Sequence, residues 1–212
     1  MPWSTGRIAP TTLVGQYAAL VPLELDQQGD LVAAVSDGEL WRHWYTAIPE
    51  PQKMQVEIER RLDLQAQGSM LPFAVIDLRN NVSTHGKAVG MTTFMNIDAV
   101  NRRVEIGSTW YRQSVQRSAI NSECKLMLLT HAFELLNCIA VEFRTHWFNQ
   151  QSRAAIERLG AKLDGVLRNH SINSHPDAQH NGKGALRDTC VYSIIAGEWP
   201  SVKAHLTYRL AR

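Results

Sequence analysis

Apolar residues recur along the chain at two different spacings, which together predict a mixture of strands and helices. Alternation at every second residue predicts strands over 12–25 (one strand or a hairpin), 71–78, 87–97, 102–111, 139–145, 162–168 and 189–195. Spacings of three and four residues predict helices over 26–35, 39–45, 52–67, 118–136, 150–159 and 199–210. This succession of elements indicates a mixed α/β domain.

The segments between these elements predict the outline of the domain. Residues 79–86 are polar and separate two strands, which indicates a hairpin turn. Residues 169–187 are polar and rich in His and Asn, so we expect a mobile loop there, and we expect residues 1–11 to form a flexible tail. Because the chain has neither internal repeats nor a low-complexity linker, a single domain over 1–212 is the simplest interpretation.

Composition and charge argue against several classes of function. The 212 residues are 44% hydrophobic and carry a net charge of +2, with basic residues dispersed among acidic ones. We therefore expect neither a nucleic-acid partner nor a membrane partner. The sequence contains no apolar run of about 18 residues and no apolar segment at its N-terminus.

The cysteines and histidines do not indicate a disulfide framework or a metal site. Three cysteines, an odd number, lie far apart in apolar surroundings: Cys124, Cys138 and Cys190. This pattern predicts buried thiols in a reducing compartment, and we expect the protein to be cytoplasmic. His170, His175 and His180 recur every five residues, which is not a helical metal-ligand spacing, so no metal is expected.

Residues 105–160 combine three signals in a fixed order. A strand is followed by the polar turn 113–121, which opens into a helix, and helix starts offer N–H donors to anions such as pyrophosphate. A second strand then leads to Asn149-x-x-Ser152 at the start of another helix. A site for an acyl-coenzyme A can be built in this order.

Several motifs carry a resemblance to a known family: Glu105-Ile106-Gly107 followed by Trp110; Asn121-Ser122-Glu123-Cys124-Lys125; Asn149-x-x-Ser152-x-x-x-Ile156-x-x-x-Gly160-Ala161; Arg187-Asp188-Thr189; and Glu198-Trp199-Pro200. They resemble the GCN5-related N-acetyltransferases (GNAT), and within that family the RimJ/RimL-type protein N-acetyltransferases. The resemblance extends from about residue 20 to 210. It implies a single domain with a central, mostly antiparallel sheet, one splayed pair of parallel strands (104–111 and 139–145), and helices on both faces.

The resemblance also implies that acetyl-CoA is the co-substrate. The implied binding residues are Ser108, Thr109, Trp110, Gln116, Arg117, Ser118, Ala119, Ile120, Asn121, Asn149 and Ser152. The phosphate loop departs from the family pattern, because Arg117 stands where a glycine is usual and Ser114 where Arg or Gln is usual. One interpretation keeps the backbone helical at Arg117, with its guanidinium projecting outward to a phosphate. Asn149 is better explained as a helix N-cap, a role that can coexist with a cofactor contact.

Direct acetyl transfer requires a base for the amine and a proton for the leaving thiolate. The resemblance suggests Glu105 as the general base, with Glu142 a weaker candidate, and Ser152 as the donor to the sulfur. Glu105 can instead be a strand residue paired with a neighbouring arginine, and Ser152 a residue of a helix first turn. Trp41, Trp44 and Tyr45 form either a lid over the acceptor or simple core anchors.

The expected function is an acyltransferase that moves an acetyl group from acetyl-CoA to a primary amine by direct transfer in a ternary complex. The acceptor is a protein N-terminal α-amine or a small-molecule amine, and the sequence leaves that choice open. The alternative is a non-catalytic module of the same fold that binds acyl-CoA or a partner, with Arg117 marking a degraded phosphate loop. The sequence also leaves open whether the protein is a monomer or a homodimer.

Overall fold

The computed structural model of the protein describes residues 8–79, 83–173, 175–180 and 183–212. Its strands are β1 Leu13–Val14, β2 Ala18–Pro22, β3 Met70–Asp77, β4 Ala88–Asp98, β5 Arg103–Tyr111, β6 Ala140–His146, β7 Lys162–Asn173, β8 Gln179–His180 and β9 Lys183–Ile195. Its α-helices are α1 Gln28–Ser36, α2 Met54–Ala66, α3 Ala119–Thr130, α4 Gln150–Arg158 and α5 Trp199–Leu210. The main sheet has the strand order β1-β2-β3-β4-β5-β6-β9-β7, and β8 pairs with β9.

Helices cover both faces of the sheet, as predicted. The side chains of β3 alternate between two cores: Phe73 packs in the core formed with α3 and α5, whereas Ile76 packs in the core formed with α1 and α2. Because both faces are covered, seven of the eight β3 residues are buried, which explains why this strand reads as a continuous apolar run.

The predicted splayed pair of parallel strands is present at β5 and β6. The two strands pair only at their first residues, from Arg103 opposite Ala140 to Glu105 opposite Glu142. Beyond Glu105, β5 continues to Tyr111 without pairing to β6, while β6 remains paired with β9 through His146. The two strands therefore diverge and leave the edge of β5 open from residue 106 onward.

A β-bulge interrupts β5 within this open stretch. On β4, Thr93 pairs with Gly107 and Met91 pairs with Trp110, so two residues of β5 lie opposite Thr92. One of them, Ser108, has a φ of 47°, in the left-handed region that non-glycine residues rarely adopt. The bulge turns main-chain groups at Ser108 and Thr109 out of the regular hydrogen-bond ladder.

Two predicted elements differ from those observed. The predicted helix over 39–45 is wrong beyond a short 3-10 turn, Leu40–Arg42, because Glu39 has a left-handed φ of 47° and the chain is extended at His43. The loop predicted over 169–187 is also wrong at both ends, because β7 continues to Asn173 and β9 begins at Lys183. Backbone pairing of Ser171 with Arg187 forms a ladder there that is independent of the polar side chains.

The remaining elements follow the predicted boundaries closely, apart from two ends. The helix predicted to reach residue 136 is α-helical only to Thr130 and continues as a π-helical turn, His131–Leu135. The predicted tail lies mostly outside the described residues, but Ile8 is buried in the core. No helix in the described part of the chain is long and apolar enough to span a bilayer.

Candidate active site

The Glu105 carboxylate lies where β5 and β6 begin to diverge, and it is only 5% exposed. Its Oε2 accepts a hydrogen bond from Asn96 Nδ2 at 2.7 Å and lies 3.4 Å from Arg144 Nε. Oε1 has no hydrogen-bond donor among the described residues, and it leans over Gly107, where an added Cβ would lie 2.9 Å from it. The free oxygen therefore faces the strand segment that leads into the bulge.

Burial raises the pKa of Glu105, although Asn96 and Arg144 oppose the shift. Glu142, directly opposite on β6, behaves differently. Burial works to raise its pKa too, but hydrogen bonds from Arg144 and Arg103 outweigh burial, so that its pKa lies below the usual value. Of the two facing carboxylates, Glu142 is held ionised as an ion-pair partner, whereas Glu105 has the higher pKa and accepts a proton more readily.

The bulge residues have distinct surroundings. Ser108 is exposed, whereas the Thr109 hydroxyl hydrogen-bonds to Thr92 Oγ1 at 2.8 Å and to Lys125 Nζ at 2.9 Å. Lys125 is buried, and burial lowers its pKa to about 8. The Trp110 side chain is 4% exposed and packs in the core with α1 and α2. As a cofactor contact, Trp110 can therefore offer only its main chain.

The phosphate loop does not have the helical backbone considered for Arg117. After the 3-10 turn Gln113–Val115, Gln116 is extended, and Arg117 has a φ of 60°, in the left-handed region that glycine favours. The helical interpretation is therefore wrong: the backbone at Arg117 is left-handed, a conformation that arginine rarely adopts and glycine adopts readily. Arg117 is exposed, and its guanidinium has no partner among the residues that the structure describes.

The start of α3 offers hydrogen-bond donors to an anion. Ser118 is the N-cap, and its hydroxyl accepts the Ile120 N–H at 3.4 Å. Within the described ranges, the main-chain N–H groups of Arg117, Ser118 and Ala119 have no acceptor. The Ile120 side chain is fully buried in the core and cannot contact a ligand. Unpaired N–H groups, a helix N-terminus and an unpaired guanidinium fit a pyrophosphate.

The second motif lies beside this loop. Asn149 caps α4, because its side chain accepts the Ser152 N–H at 3.0 Å. The Ser152 hydroxyl is half-buried and has no partner in the described part of the chain. Gln151 Nε2 lies 3.5 Å from Gln116 Oε1, and Gln116 Nε2 donates to the Tyr111 carbonyl at 3.0 Å. These bonds connect the start of α4 to the loop before α3.

Aromatic side chains gather at the open end of the splay. Trp44 lies 5.1 Å from His146 and 5.9 Å from Phe148, measured between ring centroids, and Tyr45 lies 6.5 Å from His146. The sequence interpretation missed His146 and Phe148, although an aromatic run just before Asn149 was a usable signal. Trp41 is separate from this group, because it packs against the α1–α2 core.

The end of β7 and the residues just after it hold the Trp41–Tyr45 segment in place. Asn173 Nδ2 donates to the Trp44 carbonyl at 2.8 Å, and His175 Nε2 lies 3.1 Å from the Trp41 carbonyl oxygen. Burial lowers the pKa of His146, whose Nδ1 accepts the Phe148 N–H. The His146 ring is therefore uncharged at neutral pH, and the group offers aromatic faces against which a substrate can pack.

The cysteines and acidic residues give no second site. All three cysteines are free and buried, and burial raises the pKa of Cys124 and of Cys138 to about 12, so neither is a thiolate nucleophile at neutral pH. Among the described residues, no group of three His, Cys, Asp or Glu side chains can hold a metal ion.

Comparison with known proteins finds a family match and close structural relatives. Residues 19–162 match the acetyltransferase (GNAT) domain. Over 118 residues, the chain is 30% identical to YdaF of Bacillus subtilis, which is provisionally named a ribosomal N-acetyltransferase; the match covers 56% of this chain and 59% of that protein. A GCN5-related N-acetyltransferase from Brucella melitensis is 27% identical with a TM-score of 0.77, covering 96% of this chain and 87% of that one. Mycobacterium smegmatis RimJ, solved with CoA-disulfide, has the same fold at 22% identity, with a TM-score of 0.74 and 96% of each chain covered.

Proposed function

Because the chain belongs to the GNAT acetyltransferase family, we propose that it transfers an acetyl group from acetyl-CoA to a primary amine, with a protein N-terminal α-amine as the acceptor. The observation that carries this proposal is the buried Glu105 carboxylate beside a bulged strand edge that β6 leaves open. A ribosomal acceptor is supported by the name of the Bacillus subtilis relative, of which the chain covers about three fifths; the α-amine is our own narrower proposal.

The chain's own residues supply each requirement of direct transfer. Acetyl-CoA, when bound, provides a thioester whose carbonyl carbon is open to attack by an amine. Glu105 Oε1 takes a proton from the acceptor ammonium, directly or through one water, and the neutral amine that results attacks the thioester carbonyl. Main-chain N–H groups near Ser108 polarise the carbonyl. The Ser152 hydroxyl, which has no partner among the described residues, gives a proton to the departing sulfur and takes one back from the nitrogen of the tetrahedral intermediate.

The two ends of the co-substrate would be held by different parts of the open edge. The phosphates would be held by the Arg117 side chain and by the main-chain N–H groups of Arg117, Ser118 and Ala119. Three polar residues lie beside these donors, in the loop and at the two helix starts: Gln116, Asn121 and Asn149. Trp44 and Tyr45, with His146 and Phe148, would pack against the acceptor beyond the open end of the splay. Trp41 supports this segment from the core side.

An acceptor panel tests the proposal. The purified full chain is incubated with acetyl-CoA and peptides that differ at their N-terminal residue, each paired with the same peptide carrying a blocked α-amine; polyamines and free amino acids complete the panel. We expect thiol release and a single added acetyl group only with free α-amine peptides. Micromolar acetyl-CoA binding without turnover on any amine would favour the non-catalytic alternative, and absence of binding at millimolar acetyl-CoA would refute the proposal.

Substitution of Arg117 tests the phosphate loop. Arg117→Asn removes the charge while tolerating the left-handed backbone, so we expect acetyl-CoA to bind about tenfold more weakly at low salt, with less difference at high salt. Calorimetry at two salt concentrations measures the change. Arg117→Lys serves as the control that keeps the charge, and equal affinity of all three proteins would show that the backbone donors act alone.

A further inference from the structure

Arg61 of α2 is a buried cation that reaches the bulge of β5 from the face covered by α1 and α2. Its side chain is 2% exposed and donates three hydrogen bonds: Nε to Glu57 at 2.7 Å, Nη1 to Thr93 Oγ1 at 2.8 Å and Nη2 to the Ser108 carbonyl at 3.2 Å. The guanidinium therefore connects α2, β4 and the main chain of the bulge at one point.

Packing alone does not account for a guanidinium at this position. Burying a charge carries a desolvation cost, and an apolar side chain of similar volume often packs equally well or better. Burial lowers the pKa of Arg61, although Glu57 opposes that shift. Unlike any apolar side chain, the rigid guanidinium of an arginine presents several hydrogen-bond donors in a fixed geometry to a main-chain carbonyl.

The carbonyl that Arg61 holds belongs to the strained residue of the bulge. Ser108 has a φ of 47°, a conformation that persists only when its surroundings fix it. In a planar trans peptide the C=O and the next N–H point in opposite directions, so the Thr109 N–H points away from Arg61. On the opposite face, Lys125 holds the Thr109 hydroxyl. The bulge is thus fixed from both faces of the sheet.

We propose that Arg61 is a positioning residue, which holds the Ser108 carbonyl so that the main-chain N–H donors of the bulge polarise the thioester carbonyl of acetyl-CoA. This inference rests on the proposed function, because it assigns the bulge to the acyl end of the co-substrate. Arg61 itself touches no reacting atom. Its effect passes through the orientation of one peptide group.

The chain provides a matched control for this role. Arg60 also pairs with Glu57, at 2.8 Å, but it is exposed and has no bond to the bulge. We expect Arg61→Met to lower kcat about 100-fold, in the range measured for loss of an oxyanion donor, with the Kd of CoA changed less than threefold. Arg60→Met should keep kcat within a factor of two.

A carbonyl readout separates positioning from a general structural effect. Infrared spectroscopy of bound acetyl-CoA, isotopically labelled at the thioester carbonyl, should show a lower stretching frequency in the wild type than in solution. That shift should be lost in Arg61→Met and kept in Arg60→Met. The wild type should also bind acetyl-CoA more tightly than S-ethyl-CoA, which lacks the carbonyl, and Arg61→Met should bind both equally.

The outcomes distinguish this inference from the proposed function. If the wild type acetylates no amine, the proposed function is refuted. If the wild type is active but the thioester carbonyl frequency is unshifted in both the wild type and Arg61→Met, the role of the bulge donors is refuted. Full activity and an unchanged carbonyl shift in Arg61→Met would overturn the role of Arg61. If Arg61→Met does not fold, Arg61→Lys keeps the charge beside Glu57 but not the fork, and the same loss of carbonyl shift is expected.

Discussion

Glu105→Gln is expected to lower kcat by about 100-fold to 10,000-fold while leaving acetyl-CoA affinity nearly unchanged, because a positioned general base contributes a factor of that size. Glutamine has the same shape and can still accept the hydrogen bond from Asn96, but it cannot take a proton from the amine. Steady-state kinetics with the best acceptor peptide, together with calorimetry of acetyl-CoA binding, measure the two quantities separately.

The pH profile gives the same substitution a second readout. Because burial raises the pKa of Glu105 above its usual value, the wild-type rate should fall on the acid side as the carboxylate is protonated. The pH–rate profile of the wild type should have an acid limb with an apparent pKa above 4.5, and this limb should be absent in Glu105→Gln.

The Glu105→Gln substitution should change the stability of the folded protein in the opposite direction to its activity. A raised carboxyl pKa means that the folded state binds this proton more tightly than the unfolded state does, so the ionised carboxylate costs stability above the folded pKa and nothing below the unfolded pKa. Glu105→Gln should therefore unfold at the same temperature as the wild type or higher at neutral pH. A marked loss of stability would indicate that Glu105 is a structural ion-pair residue.

Glu142 provides the matched control, since it occupies the same register on the neighbouring strand. Its carboxylate pairs with Arg103 and Arg144, which hold it ionised, so Glu142→Gln should lower kcat less than tenfold. If Glu105→Gln keeps more than a tenth of wild-type kcat, or if Glu142→Gln has the larger effect, Glu105 is not the base.

Glu123→Ala is expected to cause the largest loss of stability, about 3 to 5 kcal/mol, because it leaves buried donors without an acceptor. The Glu123 carboxylate is 7% exposed and accepts the main-chain N–H groups of Gln16, Tyr17 and Ala18 at 2.6–2.7 Å. Thermal unfolding should shift downward by about 10 °C. The motif that resembles a coenzyme-binding helix start thus contains a residue that fixes the turn between β1 and β2.

Two further variants sharpen this measurement. Glu123→Gln keeps the shape and one acceptor oxygen, so it should lose about half as much stability as Glu123→Ala. The exposed Glu59→Ala on α2 should change the free energy of unfolding by less than about 0.5 kcal/mol. Equal unfolding temperatures for Glu123→Ala and Glu59→Ala would contradict the role assigned to the three hydrogen bonds.

Much of the fold could be predicted from the sequence because its strands and helices have strong apolar periodicity. The order of motifs around Glu105, Asn121 and Asn149 was enough to predict the GNAT family and the splayed strand pair, and the resemblance to RimJ/RimL-type enzymes agrees with the relatives found. Periodicity failed where backbone pairing decides the structure, as in the polar ends of β7 and β9.

The fine geometry of the site could not be predicted, since it depends on contacts distant in sequence and on backbone angles. Nothing in the residues around Arg61 indicates that it reaches Ser108, which lies 47 positions away. The left-handed backbone at Arg117 is likewise hidden, because arginine carries no preference for that conformation. The assignments of Glu105 as base and Ser152 as proton donor remain predictions.

The strand order has a consequence for the order in which the protein can be completed during synthesis. Of the strands that the structure describes, β9 is synthesised last, yet it lies between β6 and β7, which are made earlier. Until residues 183–195 emerge, β6 has no partner on its β9 side, and the splayed edge cannot take its final form. A chain truncated before Lys183 loses an interior strand, so we expect it to be an unfolded fragment without partial activity.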